Sequence, residues 1–373
     1  MTDPVSILFS FSIIYYKKML ISLVVLCATA SLLTSLVVIK LSHSWFSWML
    51  DHDTQGIQKF HHEPVPRLGG IAILVGLLCS LPIIPLDTQK ILILLVLASV
   101  PVLAGGIVED LTKKVSPMIR LLLAFASAII GFYLLDDARA VHLGIPFVDN
   151  HLLIMAPVSL VITVLMIGGV SHAVNIIDGY NGLMPGFMLM LFAAMAYVSY
   201  QSGDLLMLQI NLALCAVIIG FIGLNFPYGK MFSGDGGAYF LGYTAATLSL
   251  ILVNRNDALS PWFALLLMIF PVWETLFSIG RRKFIHGTDI TQPDDQHLHT
   301  LIFKHITQHR YRDPRLKNGM VSPIIWLFCC LTSLIPAIIF PGRTGILIFF
   351  IMVFIVAYYA FYRFLTKQNK QHD

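Results

Sequence analysis

Long apolar runs separated by short polar segments are the feature that most restricts how this chain can fold. Its 373 residues are 57% hydrophobic and 12% charged, whereas an ordinary soluble domain is roughly 25% charged. A soluble protein of this length needs polar side chains over its whole surface, and here they are confined to short islands. The composition therefore predicts that lipid surrounds most of the chain.

The apolar runs have the length of membrane-spanning helices. A helix needs about 20 apolar residues to cross a bilayer, and backbone that faces lipid must satisfy its own hydrogen bonds. The sequence thus predicts an all-α integral membrane protein, a polytopic bundle of about 11 transmembrane helices. The predicted spans are residues 19–41, 68–84, 91–108, 118–135, 151–174, 183–200, 206–224, 238–253, 261–279, 321–340 and 345–365.

The same pattern predicts the domain organisation. Residues 19–373 form a single membrane-embedded domain, preceded by an N-terminal extension, residues 1–18, to which we assign no role. The apolar segment 5–16 within the extension is too short to span a bilayer, so an interfacial position is one interpretation of it.

The basic residues are distributed unevenly between the two sides of this topology. Eighteen of the 24 Lys and Arg residues fall on the side reached after the odd-numbered spans, and the positive-inside rule makes that side cytoplasmic. The formal net charge of +4 is not concentrated on one basic face, so we expect no nucleic-acid partner.

Four connections on the predicted cytoplasmic side carry acidic, amide or histidine residues at the membrane edge. Such groups are unfavourable there unless they bind something. Each segment alone also fits a solvated helix end or an ordinary turn, but their coincidence on one side indicates a site. The segments are GIVEDLTKKVSP (106–117), HAVNIIDGYNGL (172–183), NFPYGKMFSGDGG (225–237) and DDQHLHTLIFKH (294–305).

The first and third segments suit a hard divalent cation and phosphate. Glu109 and Asp110 are adjacent at a predicted span end and are followed by Lys113. Carboxylates can hold such an ion, and a lysine can meet phosphate. Asp235 lies in a glycine-rich turn from which its carboxylate can reach a metal, and Phe232 offers a ring on which a base can stack.

The second and fourth segments add polar groups for an anionic ligand. Asn175 and Asp178 are three residues apart and share a helix face, and Asn181 repeats the spacing. His297 and His299 alternate beside two aspartates, but the third ligand that a zinc site needs does not follow at a matching spacing. Histidine and arginine donors that gather toward a diphosphate fit a nucleotide substrate better.

Taken together, these segments favour magnesium-dependent phosphoryl chemistry, because three carboxylate sites occur with abundant lysine and arginine and without a candidate serine or cysteine nucleophile. Hydrolysis and transfer are both consistent with this pattern, although a lipid-phosphate phosphatase is disfavoured by the missing histidine nucleophile context. A secondary transporter is the main alternative, since acidic residues at membrane edges also line ion pathways. Transporters, however, usually place coupling carboxylates near the bilayer midplane.

Five motifs occur in the order found in the polyprenyl-phosphate N-acetylhexosamine 1-phosphate transferase family, which the chain resembles over about two thirds of its length. This family includes the phospho-N-acetylmuramoyl-pentapeptide transferase of peptidoglycan synthesis. The motifs are PRLGG (66–70), EDLTK (109–113), NIIDGYNGL (175–183), FSGDGG (232–237) and HLH (297–299).

The resemblance implies a multi-pass enzyme of the bacterial inner membrane whose active site faces the cytoplasm. Such an enzyme moves a sugar 1-phosphate, typically that of an N-acetylhexosamine, from a UDP-sugar to undecaprenyl phosphate and releases UMP. The implied cofactor is Mg²⁺, with Mn²⁺ as an alternative ion, and the UDP-sugar and the oligomeric state stay open, a homodimer being one arrangement. Residue by residue, the resemblance implies catalytic roles for Glu109, Asp110 and Asp178, metal binding by Asp235 and Asp110, and substrate binding by Arg67, Lys113, Asn175, Asn181, Asn225, Phe232, His297 and His299.

Several positions depart from the usual family motifs. Glu109 replaces the first member of an Asp-Asp pair, Asn181 replaces the second aspartate of DGxDG, and Thr300 stands where a third histidine often occurs. An amide at position 181 argues against a metal or base role there. With the IIDGYNG segment, these changes resemble the branch of the family that initiates lipid-linked surface polysaccharides.

Overall fold

A computed structural model describes residues 4–44, 50–51, 64–286 and 296–369. Within these ranges the chain is helical apart from its connections and one antiparallel pair of two-residue strands, β1 (Leu50–Asp51) and β2 (Val65–Pro66), in which Leu50 is opposite Pro66. The helices are α1 (Pro4–Ser44), α2 (Gly69–Leu78), α3 (Leu86–Thr112), α4 (Pro117–Leu134), α5 (Ala156–Ile176), α6 (Leu183–Gln201), α7 (Leu205–Asn225), α8 (Gly234–Asn254), α9 (Pro261–Leu267), α10 (Ile269–Arg281), α11 (Leu298–Ile302), α12 (Gln308–Arg310), α13 (Pro314–Gly319), α14 (Val321–Cys329), α15 (Ile335–Ile339) and α16 (Thr344–Asn369).

The bundle has the dimensions and hydropathy of a membrane protein. In the described ranges, nine helical segments are long and apolar enough to cross a bilayer, or ten when the bent pair α9 and α10 counts as one span. The predicted all-α, multi-pass membrane fold is confirmed. The predicted number of eleven spans is higher than this count by one or two.

Proline explains where two predicted spans differ from the structure. In place of a helix over residues 68–84, α2 ends at Leu78 and a turn that contains Pro82 leads to α3. In place of one straight helix over residues 261–279, the chain bends by 70° between α9 and α10. Pro271 has no amide hydrogen and its ring would clash with the carbonyl of Leu267, which is the last residue of α9.

The first helix is longer than the predicted first span. α1 runs from Pro4 to Ser44 without a break, so residues 5–16 continue directly into the predicted first span. At 1.5 Å per residue, its 41 residues extend over about 60 Å, roughly twice the hydrocarbon thickness of a bilayer. α1 packs against α2 and α7.

α8 lies at the centre of the bundle, where every residue from Gly234 to Val253 is buried. It packs chiefly against α3 and α5, and small residues permit the close approach that helices in membranes use for packing. Ser171 of α5 lies against Gly242 and donates its hydroxyl to the Tyr239 carbonyl at 2.8 Å. Because the first turn of this central helix carries Asp235, packing of the whole bundle fixes the position of that carboxylate.

At the end of α8 opposite Asp235, the side chain of Asp204 joins two helices. It is the N-cap of α7 and accepts the Met207 N–H at 3.2 Å, and the Arg255 guanidinium donates to its two carboxylate oxygens at 2.9 and 3.3 Å. We expect Asp204→Ala to lower the free energy of unfolding by about 1–3 kcal/mol, because it removes an N-cap and the buried partner of Arg255. Thermal unfolding of the protein in detergent measures this change.

A matched control for this prediction is Asp136→Ala at the same end of the bundle. Asp136 is 86% exposed and pairs with Arg139, and exposed pairs of this kind contribute about 0–1 kcal/mol. Equal losses of stability in the two variants would contradict the role assigned to Asp204.

Candidate active site

The PRLGG and FSGDGG motifs are joined through their backbones at one end of the bundle. The Phe232 N–H donates to the Pro66 carbonyl at 2.9 Å, and the N–H groups of Gly69 and Gly70 donate to the carbonyls of Phe232 and Ser233 at 3.0 and 2.9 Å. The start of α2 and the start of α8 therefore lie side by side, although the sequence separates them widely.

Asp110, in the last turn of α3, holds the first turn of α8. Its two carboxylate oxygens accept the N–H groups of Asp235 and Gly236 at 2.8 and 2.9 Å, and the side chain is buried. A carboxylate at a helix N-terminus satisfies N–H groups that have no partner within the helix and interacts favourably with the helix dipole. Gly234, the first residue of α8, has a φ of +70°, and an added Cβ there would collide with the Arg67 carbonyl and with Asp110, so the turn needs glycine.

We expect Asp110→Asn to lower kcat/KM about 10- to 100-fold. An amide can accept only one of the two N–H groups and turns its own NH₂ toward the other, and leaving a buried donor without an acceptor costs about 1–3 kcal/mol. Steady-state kinetics of the purified variant measure the loss. Glu109→Gln is the comparison, because its amide oxygen can still accept the Val115 N–H that Glu109 accepts. We therefore expect a smaller loss of kcat/KM at Glu109 than at Asp110, and the opposite order would contradict the role assigned to Asp110.

The Asp235 carboxylate is surrounded by cationic and amide groups. Arg67 contacts its Oδ1 at 3.4 Å, the Asn175 amide donates to the same oxygen at 3.3 Å, and Arg120 of α4 forms an ion pair with its Oδ2. The side chain is 9% exposed. A buried carboxylate needs such partners, and these partners come from three different parts of the chain.

Asp178 lies beside this group, in the turn between α5 and α6. The residue is half-buried, and desolvation of its carboxyl group by the surrounding protein raises its pKa to about 7, while Arg67 and the neighbouring Ser233 hydroxyl act in the opposite direction. A carboxyl group with a raised pKa among other carboxylates has the character of a functional-site residue.

Arg67 is the common cationic neighbour of the three aspartates. Its Nε lies 3.6 Å from Asp110, its Nη2 contacts Asp235, and its charge acts on Asp178. Asp178 in turn lies within electrostatic range of Asp110. The structure therefore brings together the three aspartates that the sequence places in separate segments.

The donor set is compatible with Mg²⁺. Its protein ligands would be oxygen atoms, and Mg²⁺ usually binds one or two carboxylates, substrate phosphates and several waters. Among the described residues, no group of three or more His, Cys, Asp or Glu side chains is arranged to hold a metal. Asp235 with Asp110 or Asp178 would thus need a phosphate ligand to complete a site, and Asp110 also holds the α8 turn through both of its carboxylate oxygens.

Two asparagines predicted to bind substrate hold loops together. Asn181 donates its side-chain amide to the Pro227 carbonyl at 3.1 Å and its backbone N–H to Asn318 at 2.7 Å. Asn225 accepts the Gly182 N–H at 2.6 Å and donates to the Met231 carbonyl at 2.8 Å. Both side chains are buried, so their contacts fix the turn after Asp178 against the loop that leads to α8.

The remaining residues of the EDLTK motif lie at the end of α3. The Glu109 carboxylate accepts the Val115 N–H at 2.7 Å and so closes the turn between α3 and α4. Lys113 is the C-cap of α3 in a left-handed conformation, with an exposed side chain, and its charge acts on Asp110. Glu109 thus faces the turn, whereas Asp110 faces the aspartate cluster.

The HLH motif packs against the turn that carries Asp178. The rings of His297 and His299 are stacked at a centroid distance of 5.1 Å, and His299 meets the ring of Tyr180 edge-on at 5.4 Å. Both histidines are buried. Asp294 and Asp295, which precede them in the sequence, lie outside the described residues.

Two site residues were not predicted from the sequence. Arg120 pairs with Asp235 and lies 5.9 Å from the centre of the Tyr239 ring. Glu274 of α10 accepts a hydrogen bond from His297 at 2.9 Å. Glu274 is a charged residue within an apolar span, and that position by itself is a signal of function in a membrane protein, whereas Arg120 lies in the first turn of α4.

Comparison with known proteins matches the part of the chain that carries the cluster. Residues 92–253, which include the aspartates of the cluster, match the model of glycosyl transferase family 4. The chain is 26% identical over 337 residues, 89% of each protein, to the probable undecaprenyl-phosphate N-acetylglucosaminyl 1-phosphate transferase of Bacillus subtilis strain 168.

Enterobacterial proteins give shorter alignments with similar identity. The undecaprenyl-phosphate alpha-N-acetylglucosaminyl 1-phosphate transferases of Yersinia pestis and Escherichia coli K12 are 28% and 25% identical to the chain, each over 68% of this chain and 69% of the relative. The motifs, the fold and these similarities together support a resemblance of the chain to the polyprenyl-phosphate N-acetylhexosamine 1-phosphate transferases, with residues 92–253 matching glycosyl transferase family 4.

Proposed function

We propose that this protein transfers N-acetylhexosamine 1-phosphate from a UDP-sugar to undecaprenyl phosphate, with Mg²⁺, and releases UMP. N-acetylglucosamine is the first sugar to test, because it is named for the relatives. The product would be the lipid-linked sugar that initiates a surface glycan.

The observation that carries the proposal is the aspartate cluster at one end of an apolar bundle. Asp110, Asp178 and Asp235 surround Arg67, and Arg120 supplies a second guanidinium. Phosphoryl transfer is catalysed mainly by positioning and by neutralising charge on the transferred group. Carboxylates that can hold a divalent cation, next to two arginines, provide those two functions.

The proposed reaction is a single in-line displacement. An oxygen of the lipid phosphate forms a bond with the β-phosphorus of the UDP-sugar, the bond from that phosphorus to the bridging oxygen breaks, and UMP leaves with both electrons. A phosphate monoester has a second pKa of about 6, so the acceptor is mostly dianionic at neutral pH and needs little base catalysis. The aspartates therefore serve to position the reacting groups.

In this proposal, different residues bind the metal ion, contact the phosphates and hold the α8 turn. Asp235 and Asp178 would hold Mg²⁺, which supplies charge neutralisation of the diphosphate when bound. Arg67, Arg120 and Lys113 provide cationic groups for the phosphates. Asp110 keeps the α8 turn in place through its two backbone contacts.

The base and the sugar would be recognised by the loops around the cluster. Phe232 stays our candidate for stacking on uracil, and His297 and His299 for contacts with the phosphates or the sugar. For Asn181 and Asn225 we now propose an indirect role, because their side chains hold the turns that carry Asp178 and Phe232.

A groove on α10 supports the proposal that the acceptor carries a polyprenyl chain. It has a volume of about 320 Å³ and is lined almost wholly by apolar atoms. The lining residues are Trp273, Leu276, Phe277, Gly280, Arg281 and Phe284. An apolar chain in this groove would have Arg281 at one side, within the same part of the protein as the HLH motif.

The distribution of basic residues supports a cytoplasmic orientation of the site in a bacterial inner membrane. The aspartate cluster lies at the helix ends to which the charge count assigns 18 of the 24 Lys and Arg residues. A water-soluble UDP-sugar would reach the cluster from that side, and the acceptor would reach it from the lipid.

The decisive experiment incubates the purified protein in detergent with undecaprenyl phosphate, Mg²⁺ and a panel of UDP-sugars, and measures UMP. We expect one donor to release UMP together with formation of a lipid-linked sugar diphosphate, and EDTA to stop the reaction until Mg²⁺ is restored. Absence of UMP with every donor would refute the proposed transfer. Undiminished activity in EDTA would refute the metal.

Two further outcomes distinguish alternative mechanisms. Release of UMP without acceptor would favour a covalent phosphosugar enzyme and ping-pong kinetics over the single displacement. Uptake of an intact UDP-sugar into proteoliposomes, without UMP, would favour a transporter.

A further inference from the structure

Glu274 is a carboxylate buried within an apolar span. It lies in α10, and its side chain is 1% exposed. An ionisable group in such a place is unfavourable unless it is paired, and in membrane proteins it usually marks a functional site. The proposed reaction, as described so far, does not use it.

Both carboxylate oxygens of Glu274 have defined partners. Oε1 accepts hydrogen bonds from Nδ1 of His297 at 2.9 Å and from the Leu298 N–H at 3.1 Å. Oε2 accepts the Tyr358 hydroxyl of α16 at 2.9 Å. Three donors from two other segments therefore fix the orientation of the carboxylate.

The hydrogen bond with Glu274 indicates which ring nitrogen of His297 carries a proton in this contact. A carboxylate only accepts hydrogen bonds, so the proton in this contact belongs to Nδ1 of His297. The ring is also stacked on His299 at an interplanar angle of 16°, and His299 contacts the turn beside Asp178 through Tyr180. A carboxylate that orients a histidine through Nδ1 and selects its tautomer is a recurrent arrangement in enzymes and at metal sites.

We propose that Glu274 is a positioning residue that fixes the tautomer and orientation of His297 for the transfer reaction, with Tyr358 holding the other carboxylate oxygen. This inference rests on the proposed function, in which His297 contacts the substrate. Glu274 acts through His297 and does not itself touch the reacting groups.

The kinetic test compares Glu274→Gln, His297→Gln and the double variant, with UDP-N-acetylglucosamine and undecaprenyl phosphate as substrates. Gln has the shape of Glu but not its charge, so it weakens the selection of the Nδ1–H tautomer. We expect each single variant to lower kcat/KM about 10- to 100-fold, and the double variant to be no slower than His297→Gln alone. Multiplied losses in the double variant, or full activity of Glu274→Gln, would overturn the proposal.

A control on the same helix separates this effect from a general disturbance of α10. Among the described residues, Thr275 donates to the Pro271 carbonyl, four residues earlier, so Thr275→Val removes a polar contact of α10 that does not involve His297. We expect Thr275→Val to keep kcat/KM within about twofold of the wild type, as surface and local changes without special partners usually do. A loss in Thr275→Val equal to that in Glu274→Gln would also overturn the proposal.

A spectroscopic arm tests the proposal independently of activity. Nitrogen NMR of the ¹⁵N-histidine-labelled protein, with His297→Gln to assign the signal, reports which ring nitrogen of His297 carries the proton. We expect the Nδ1–H form in the wild type and a mixture of forms in Glu274→Gln; the same tautomer in both proteins would contradict the inference. If the wild-type protein releases no UMP, the proposed function fails while this measurement still decides the role of Glu274.

Discussion

Asp235→Asn is expected to reduce kcat by about 1,000-fold or more while the protein still folds. The side chain is held at the start of the central helix, where it contacts Arg67 and Arg120, and it is the carboxylate that we propose as the main Mg²⁺ ligand. An amide lacks the charge that holds the cation, and the neutralisation that a bound metal supplies is worth several kcal/mol of transition-state stabilisation, at about 1.4 kcal/mol per factor of ten.

Two measurements make this result specific. Asp136→Asn, at the opposite end of the bundle, changes an exposed carboxylate in the same way and should keep normal turnover. Thermal unfolding in detergent checks that Asp235→Asn is folded, since the variant removes one counter-charge from the neighbourhood of Arg67 and Arg120. Turnover of folded Asp235→Asn at more than a tenth of the wild-type rate would refute the metal assignment.

Gly106→Ala is the second change for which we expect a large effect. Gly106 lies in α3 where that helix meets α8, and an added Cβ would be 2.5 Å from the backbone nitrogen and Cα of Gly236. The neighbouring atoms are backbone, so the two helices must separate. Separation would lengthen the bonds from Asp110 to the N–H groups of Asp235 and Gly236.

We expect this variant to lose about 1–3 kcal/mol of stability from overpacking and on the order of 100-fold in turnover from displacement of Asp235. Kinetics and thermal unfolding measure the two effects. Gly169→Ala in α5 is the matched control, because an added Cβ there meets nothing within 4 Å. Normal turnover in Gly106→Ala would show that the α3–α8 contact does not position the carboxylate.

Hydropathy predicted most of the fold because a bilayer accepts long apolar helical segments, and hydropathy identifies such segments in the sequence. Three predicted spans, residues 118–135, 183–200 and 206–224, correspond to helices α4, α6 and α7 within one residue at each end, whereas others differ more, as residues 91–108 do from α3. The larger differences between the predicted and the observed helices are local. Periodicity and hydropathy do not show that α2 stops at Leu78 or that the chain bends by 70° at Met268, since both depend on how a few prolines interrupt backbone hydrogen bonding.

The site could be predicted in part, because chemistry-bearing residues at membrane edges are conspicuous in an apolar sequence. Asp110, Asp178 and Asp235 were all selected in this way. From the sequence alone, the residues that face the aspartate cluster could not be distinguished from the residues that hold the surrounding turns in place. The contacts of Asn181 and Asn225 show that they hold these turns in place. A linear pattern does not show which side chain contacts which carbonyl.

By itself, the sequence determined that this chain is a multi-pass helical membrane protein with its polar groups at one set of helix ends, because lipid allows few other arrangements of so apolar a chain. Only the tertiary structure decided that Arg67 lies among three aspartates, that Arg120 pairs with Asp235 and that Glu274 contacts His297. Those contacts join residues that lie far apart in the sequence. They exist because glycines let α3 and α8 approach closely and because the bend before α10 brings a buried carboxylate to the histidines.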